Sequence, residues 1–478
     1  MRAARLRTLT LALLLLGTLA AAPAPAARPP RTQPLIPRGP SVSGALQSLR
    51  QSGAISEALY GQYYTAYVAA KRSLAKLRGT RRAELGAVMA NVQAIAAARE
   101  FTPSRLGALF LTLERNRAWW TSEPLLSNGE RMTFPPSEIV WEYYAGQGLE
   151  IQWLATFGKA NGYYLSGHEN ADLRQLLGEV LPLASARAGG IAWEYMFRFD
   201  GGLPPWTSGL SQGTALQVFA RAYSRFGEPA YLTAAQQALG IFQTPPPAGV
   251  RVATPAGALY AEYTYAPSDR ILNGFIQALV GLYDYTAITK DPLGLALFEA
   301  GDAEARSEVP RYNTGAWSKY DQYGESNLNY HELLTEFLTH LCERTQKGLP
   351  IRAVTTERPM TSEPIAADQI YCTTAQAFTA DESTPPLIAL LTKTLPGASR
   401  AGVKMTLSKI SNVQLTVSTA AGRVVWHNSA TVEGGTPRLL WLTPAKAGTY
   451  KVTLTATDLA GDFATTSGTI TVAVPRKR

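Results

Sequence analysis

Apolar positions in the first third of the chain recur every three to four residues, starting near Gly44. Two long stretches, 54–77 and 81–99, carry that spacing and are separated by Arg78-Gly79-Thr80. In the second, Leu85, Val88, Met89, Val92 and Ile95 share one helical face. Thr102-Pro103-Ser104 is a helix-start signal and opens a third helix to about Arg117. The pattern predicts a helical hairpin that packs on the helices C-terminal to it. Residues 119–142 read as loop, with a break at Pro135-Pro136. Residues 143–153 lead into a helix ending near Lys159, and 171–186 reads as another helix. The aromatic run 191–199 is strand-like.

From Ser211 onward the helices come in pairs. The first carries Leu216, Phe219, Ala220 and Tyr223 on one face and stops at Phe226-Gly227-Glu228-Pro229. The next spans 231–242 and stops at Pro245-Pro246-Pro247; then come 272–285, 294–309 and 331–346. A repeat of helix, turn and helix every 40 to 50 residues or so suggests a solenoid or a closed ring. The expected fold is mainly α, an incomplete (α/α) toroid over 44–346 with its core in 190–346. A loop-rich linker is expected over 347–400. Beyond it the period switches to two. Residues 413–418, 423–426, 438–442, 448–456 and 468–474 alternate as short strands with turn residues between them. This predicts a C-terminal immunoglobulin-like β-sandwich over 401–475, read as a spacer or binding module without chemistry of its own.

Composition adds a compartment. The chain has 478 residues, 46% apolar and 17% charged, which is globular and long enough for two or three domains. Arg2, Arg5 and Arg7 precede a short apolar run, 9–19, and the small residues of 20–27. That is a secretory signal; the run is too short for a bilayer span of about 20 residues. Residues 28–43, rich in Pro and Arg, read as a disordered tether. A secreted, periplasmic or cell-surface protein without a membrane span is expected. The formal charge of +9 suits polyanions, but no nucleic-acid motif accompanies it. Cys342 and Cys372 either pair or stay as buried thiols, and both options stand. With four His and no Cys cluster, neither a metal nor another cofactor is implied.

The chain is organised around 206–331. Trp206-x-Ser208-x-x-Ser211-Gln212-Gly213 runs into Arg221-Ala222-Tyr223; Glu262-Tyr263, Pro267-Ser268, Leu272-Asn273-Gly274-Phe275 and Gly281-Leu282-Tyr283-Asp284 come next. Tyr312-x-Thr314-Gly315, Tyr320-Asp321, Asn327-Leu328 and Tyr330-His331 complete the set. In order and spacing these strings resemble the C-terminal catalytic domain of the D-glucuronyl C5-epimerases. The resemblance implies an isomerase that inverts C5 of a uronate within an acidic polysaccharide, D-glucuronate to L-iduronate. It implies catalytic roles for Glu262, Tyr263, Tyr320 and Tyr330. Trp206, Gln212, Arg221, Tyr265, Asn273, Tyr312, Lys319 and His331 would bind substrate. The family carries a β-rich region ahead of its helical domain; here the helices of 44–117 take that place. It also has Pro after the tyrosine matching Tyr263, where this chain has Thr264. The oligomeric state is left open, a homodimer being one option.

The chemistry fits those residue types. C5 inversion removes a weakly acidic proton from one face of the ring and returns one to the other, which needs an acid/base group on each side. Donors or cations must hold the carboxylate and the enolate-like charge. Burial and neighbouring charges are expected to move tyrosine and glutamate towards neutrality. Glu262 or Tyr263 is expected on one face and Tyr330 on the other, with Tyr320 as support. Other readings of the same residues stand beside this one. Glu262 can be a surface charge, Tyr263 and Tyr265 cleft wall, Asn273-Gly274-Phe275 a packing point and Gln212-Gly213 a close helix contact. Arg221 can pair with an acid. At the level of function the alternatives are a polysaccharide lyase, a non-catalytic glycan-binding protein, and a glycoside hydrolase pairing Glu262 with Asp269 or Asp321.

Overall fold

A computed structural model describes residues 38–349 and 369–474. The expected signal, most of the expected tether and residues 350–368 of the expected linker lie outside them. Helices α1 (Val42–Gln51), α2 (Glu57–Lys76), α3 (Gly79–Ala97) and α4 (Pro103–Ser122) open the chain. Ser41 and Ser56 cap the first two by accepting the Gly44 and Leu59 amides, and Pro103 starts α4. The apolar face read into α3 is buried at Leu85, Val88, Val92 and Ile95. Both α2 and α3 pack on α4.

The passage expected to be loop, and the residues 143–151 expected to lead into a helix, hold a small antiparallel sheet: β1 (Arg131–Met132), β2 (Trp141–Tyr144) and β3 (Gly148–Ile151). Gly146 and Gly148, at φ of 80° and 86°, turn its hairpin. Alternation divides its two faces. Trp141 and Tyr143 pack towards Phe134, Trp120 and Glu84, with the Tyr143 hydroxyl donating to Glu84 at 2.9 Å. Glu142, Tyr144 and Glu150 face the opposite way.

Next come α5 (Trp153–Ser166), α6 (Asn170–Val180), β4 (Ser185–Arg187), β5 (Gly190–Ala192), α7 (Gly209–Phe226), α8 (Pro229–Ala238) and α9 (Gly240–Gln243). They are followed by β6 (Arg251–Ala253), β7 (Ala258–Tyr260), α10 (Leu272–Thr289), α11 (Pro292–Glu308), α12 (Leu328–Lys347) and α13 (Gln369–Asp381). The helix expected over 171–186 ends at Val180, because Pro182 follows and β4 pairs with β5. The helix expected over 231–242 divides at Gly240, whose backbone is pressed against the Ala188 carbonyl. Helix α13 and the first C-terminal strands occupy ground expected to be linker.

The helices pack in two ranks. In one, α5 meets α7, α7 meets α10 and α10 meets α12; α6, α8, α11 and α13 back them in the same order. The closest approach is between α7 and α10. A Cβ on Gly213 would lie 2.6 Å from the Ala278 Cα, and Gly281 abuts the Gly213 carbonyl. A bridge between Cys342 and Cys372 joins α12 to α13. Glu194, fully buried, receives Arg105 of α4 at 2.6 Å and Arg187 at 2.6 Å, fastening the first helices to this body. Burial opposes its charge, yet the bonds and charge of Arg105 and Arg187 hold it below the usual carboxylate range. No helix among the described residues is long and apolar enough to cross a membrane.

The C-terminal part is β. Strands β8 (Ile388–Leu390), β9 (Thr394–Pro396), β10 (Arg400–Leu407), β11 (Ser411–Ser418), β12 (Val424–Val432), β13 (Arg438–Leu442), β14 (Gly448–Asp458) and β15 (Phe463–Ala473) form two sheets, ordered β13-β10-β8 and β12-β11-β14-β15-β9. Their alternate residues, Val403, Met405, Leu415, Trp441 and Leu454 among them, share one apolar cluster.

The α7–α10 contact yields a stability prediction. Gly213→Ala places a methyl against backbone and costs about 1–3 kcal/mol. Gly61→Ala, on α2 with nothing within 4 Å of the new Cβ, is neutral or stabilising by up to about 1 kcal/mol. Urea unfolding of the two variants checks the contrast.

Candidate active site

Four helices of the first rank begin at one end of the body. Gln152 caps α5, accepting the Leu154 amide at 3.1 Å. Ser208 caps α7, accepting Ser211 at 3.4 Å. Asn327 caps α12, accepting the Tyr330 amide at 2.9 Å. Residues 261–264 are laced to the start of α7: Gly209 donates to the Ala261 carbonyl at 3.1 Å, and Thr264 to Thr207 at 3.1 Å. The Glu262 side chain is thereby laid on the first turn of α10, so close to Gly274 that a Cβ there would meet its carboxylate. The positive end of a helix favours a carboxylate in that place.

Around Tyr263, next to Glu262, the structure assembles the tyrosines singled out in the sequence. Tyr263 is within electrostatic reach of Glu262, Tyr320, Tyr265 and Tyr330. The Tyr320 and Tyr330 rings lie 4.6 Å apart, and Tyr263 stacks on Tyr265 at 5.3 Å. Trp206 meets Tyr263 edge-on at 5.7 Å and Tyr265 at 5.4 Å, while Phe199 covers Tyr263 at 5.8 Å. Glu262 and the four tyrosines are half-buried. The expected shift of tyrosine towards neutrality is not what Tyr263 shows. Burial, then the charge of Glu262 and the neighbouring phenols, push it well above the ordinary phenol value. It therefore keeps its proton at neutral pH and can act as a donor.

The other candidates divide between cleft and scaffold. Asn273, on the first turn of α10, is 3% exposed, and its Oδ1 has no hydrogen-bond partner among the described residues. Trp206 is 4% exposed and donates to the Phe197 carbonyl at 2.7 Å. Gln212 is buried and bonded to Trp193, donating to its carbonyl at 3.0 Å. Tyr312 is buried with its hydroxyl on the Arg270 carbonyl. Lys319 lines a cavity of about 480 Å³ with Glu325, Glu433 and Tyr323. Arg221 lies about 18 Å down α7 from Gly209, at about 1.5 Å per residue. There it pairs with Asp284 of α10 at 2.8 Å, and Arg344 of α12 joins the same carboxylate at 2.6 Å. That cluster ties three helices together at the end away from the tyrosines. Asp321 is fully buried and accepts the Tyr323 and Gly324 amides, which commits it to its own turn.

His331 follows Tyr330 in the chain but belongs to the scaffold. It is fully buried, stacked on Trp317 at 3.7 Å with planes 6° apart. Its Nδ1 accepts the Ser318 amide at 3.2 Å, so Nε2 carries the hydrogen that goes to the Phe378 carbonyl at 3.0 Å. Burial pushes its pKa down to about 4.

Sequence reasoning missed one polar layer. On the inward face of the small sheet, Arg131, Glu142 and Glu150 stand directly opposite one another on β1, β2 and β3. Arg131 donates to Glu142 at 2.6 Å; burial pushes both carboxyls up, Glu150 well above its usual range. Gln152 donates to the Tyr144 hydroxyl at 2.7 Å and accepts from that of Tyr195 at 3.2 Å. Tyr195 in turn feels both Glu142 and Glu262. Arg198, beside Phe199, keeps Nε and Nη2 buried without a hydrogen-bond partner among the described residues. The only signal of this layer was two short apolar runs with acids at alternate places.

Residues 189–354 match the family described as D-glucuronyl C5-epimerase C-terminus. A D-glucuronyl C5-epimerase of Caenorhabditis elegans is 32% identical over 133 residues, 25% of this chain and 22% of that protein. An uncharacterized protein of Methanocaldococcus jannaschii is 28% identical over 151 residues, 30% of this chain and 49% of its own. The chain thus spans less than half the length of these relatives. The solved sugar epimerase from a ruminal bacterium is 11% identical, covering 48% of this chain and 74% of that one at a TM-score of 0.28.

The His331 ring gives a pH prediction. Its folded pKa of about 4 lies below the unfolded value of about 6.5. Its contribution is therefore whole above pH about 6.5 and is lost as pH falls towards 4. Subtracting the pH–stability curve of His331→Asn from that of the unaltered protein should show this loss between those limits.

Proposed function

We propose, from the match of residues 189–354 to the D-glucuronyl C5-epimerase C-terminal family, that the protein is a carbohydrate epimerase acting at C5 of a uronate within an acidic polysaccharide. We read it as exported, with 44–346 as an incomplete α/α toroid and 401–475 as an immunoglobulin-like sandwich. One observation carries the reading: Glu262 on the first turn of α10 beside Tyr263, with Tyr320 and Tyr330 gathered about that tyrosine.

Glu262 takes the C5 proton from one face of the uronate ring. The electrons move into the adjoining carboxylate as an enolate. The starts of α7, α10 and α12 face that growing negative charge, which preorganised dipoles stabilise. Tyr330 returns a proton to C5 from the opposite face, and Tyr320, against its ring, supports it. Tyr263 keeps its proton because burial and Glu262 disfavour the phenolate, so it serves as a donor beside the base. Trp206, Phe199 and Tyr265 supply apolar faces for the sugar, and Asn273 Oδ1 can accept a ring hydroxyl.

The test is release of tritium from C5-labelled uronate polymers. Tyr330→Phe and Glu262→Gln should each lower release by about 10²–10⁴-fold while the polymer still binds. Release at the unaltered rate by Glu262→Gln removes it as the base. Ultraviolet-absorbing unsaturated chain ends appearing with release make the protein a lyase.

A further inference from the structure

Tyr320 sits on a loop built from both halves of the molecule. Within the loop, Tyr320 donates its amide to the Gly324 carbonyl at 3.0 Å, and Ser326 to Ser318 at 2.9 Å. Trp317 anchors it, fully buried, with its indole nitrogen on the Ser326 carbonyl at 2.9 Å. The helical body restrains it through the Lys319 amide on the Tyr312 carbonyl at 2.8 Å, the Leu272 amide on the Tyr320 carbonyl at 3.5 Å and Gln322, which accepts the Arg270 amide at 2.9 Å. Further restraints come from the C-terminal sheets. Lys409, in the turn between β10 and β11, is 1% exposed, with Nζ over the Trp317 ring 5.1 Å from its centroid. That ammonium is held by Asp458 at 2.5 Å, at the end of β14, and by the Asp381 carbonyl at 2.6 Å, at the end of α13. His331, adjoining Tyr330, is stacked on the same indole. A few residues on, the buried Glu325 accepts the Gly434 amide at 2.7 Å and also the Ile410 amide.

We infer that the C-terminal β unit is a positioning device for Tyr320. Lys409 and the paired amides of Ile410 and Gly434 hold the loop 317–326 in the one arrangement that sets the Tyr320 ring against Tyr330. Lys409 and Glu325 are positioning residues; neither touches the sugar. A buried cation over an indole and two amides on one buried carboxylate cost free energy to separate, because each would leave an unpaired polar group behind. The effect on turnover rests on the epimerase reading; the effect on the loop does not.

The experiment compares full-length protein with Glu325→Ala, which removes the acceptor, and Glu325→Gln, which keeps one carbonyl oxygen. Displacements of about 1 Å in a catalytic group cost up to about 100-fold in rate. Glu325→Ala should therefore lower kcat for C5 tritium release by about 10- to 100-fold, with KM within about twofold. Glu325→Gln should recover most of it. Backbone amides of 318–326 should exchange with deuterated water at least about tenfold faster in Glu325→Ala, while those of 276–289 stay unchanged. Where Glu325→Ala does not fold, Lys409→Met, with Lys409→Arg as its rescue, reads the same quantities. Unchanged exchange in 318–326, or a loss carried by KM alone, overturns the inference. An unaltered protein that releases no tritium from any uronate polymer contradicts the epimerase reading instead, and the amide comparison then decides the positioning role alone.

Discussion

The site depends on how closely α7 and α10 approach. At Gly213, Ala278 and Gly281 the two backbones meet with no side chain between them. That contact fixes the two helices in depth as well as direction, so their first turns open at the same level. The segment between them then has one course, laced by Gly209 to Ala261 and by Thr207 to Thr264, and it sets Glu262 on α10. Asp284, shared by Arg221 and Arg344, holds the opposite ends of α7, α10 and α12 together. Burial opposes its charge, but the bonds and charge of Arg344, then Arg221, keep it below the usual range.

Burial and electrostatics act in the same direction on Tyr263. Burial first, and then the Glu262 carboxylate and the neighbouring phenols, disfavour its phenolate, so it moves up rather than towards neutrality. Tyr263 therefore carries its proton at neutral pH. The helix starts compensate by offering positive potential where an anionic sugar would sit. In its inferred positioning role, the C-terminal unit acts through Lys409 and through the Ile410 and Gly434 amides bonded to Glu325.

Much of the helical body was legible because its helices are long and strictly periodic. The spacing of Leu216, Phe219 and Ala220 marked α7, and the spacing of Leu85 to Ile95 marked α3. The strands β2 and β3 escaped, since four residues are too few to show a period and an apolar neighbourhood hides alternation. Helix α13 escaped because its place is set by a partner, α12, through packing and the Cys342–Cys372 bridge. In the site, the gathering of Glu262 with Tyr263, Tyr320 and Tyr330 matched the order and spacing of the motifs. The scaffold roles of Gln212, Tyr312 and His331 did not, because each is decided by a distant partner: Trp193, Arg270 and the Trp317–Lys409 pair.

The central claim is that this cluster exchanges the proton at C5 of a uronate. The most direct measurement is proton NMR of heparosan, N-sulfated heparosan and bacterial capsular uronans incubated with the protein in deuterated water. The expected result is deuterium at C5 of at least one polymer, with signals of the inverted uronate and an unchanged chain length. No deuterium at C5 of any of these polymers, in a protein that still binds one of them, would contradict it.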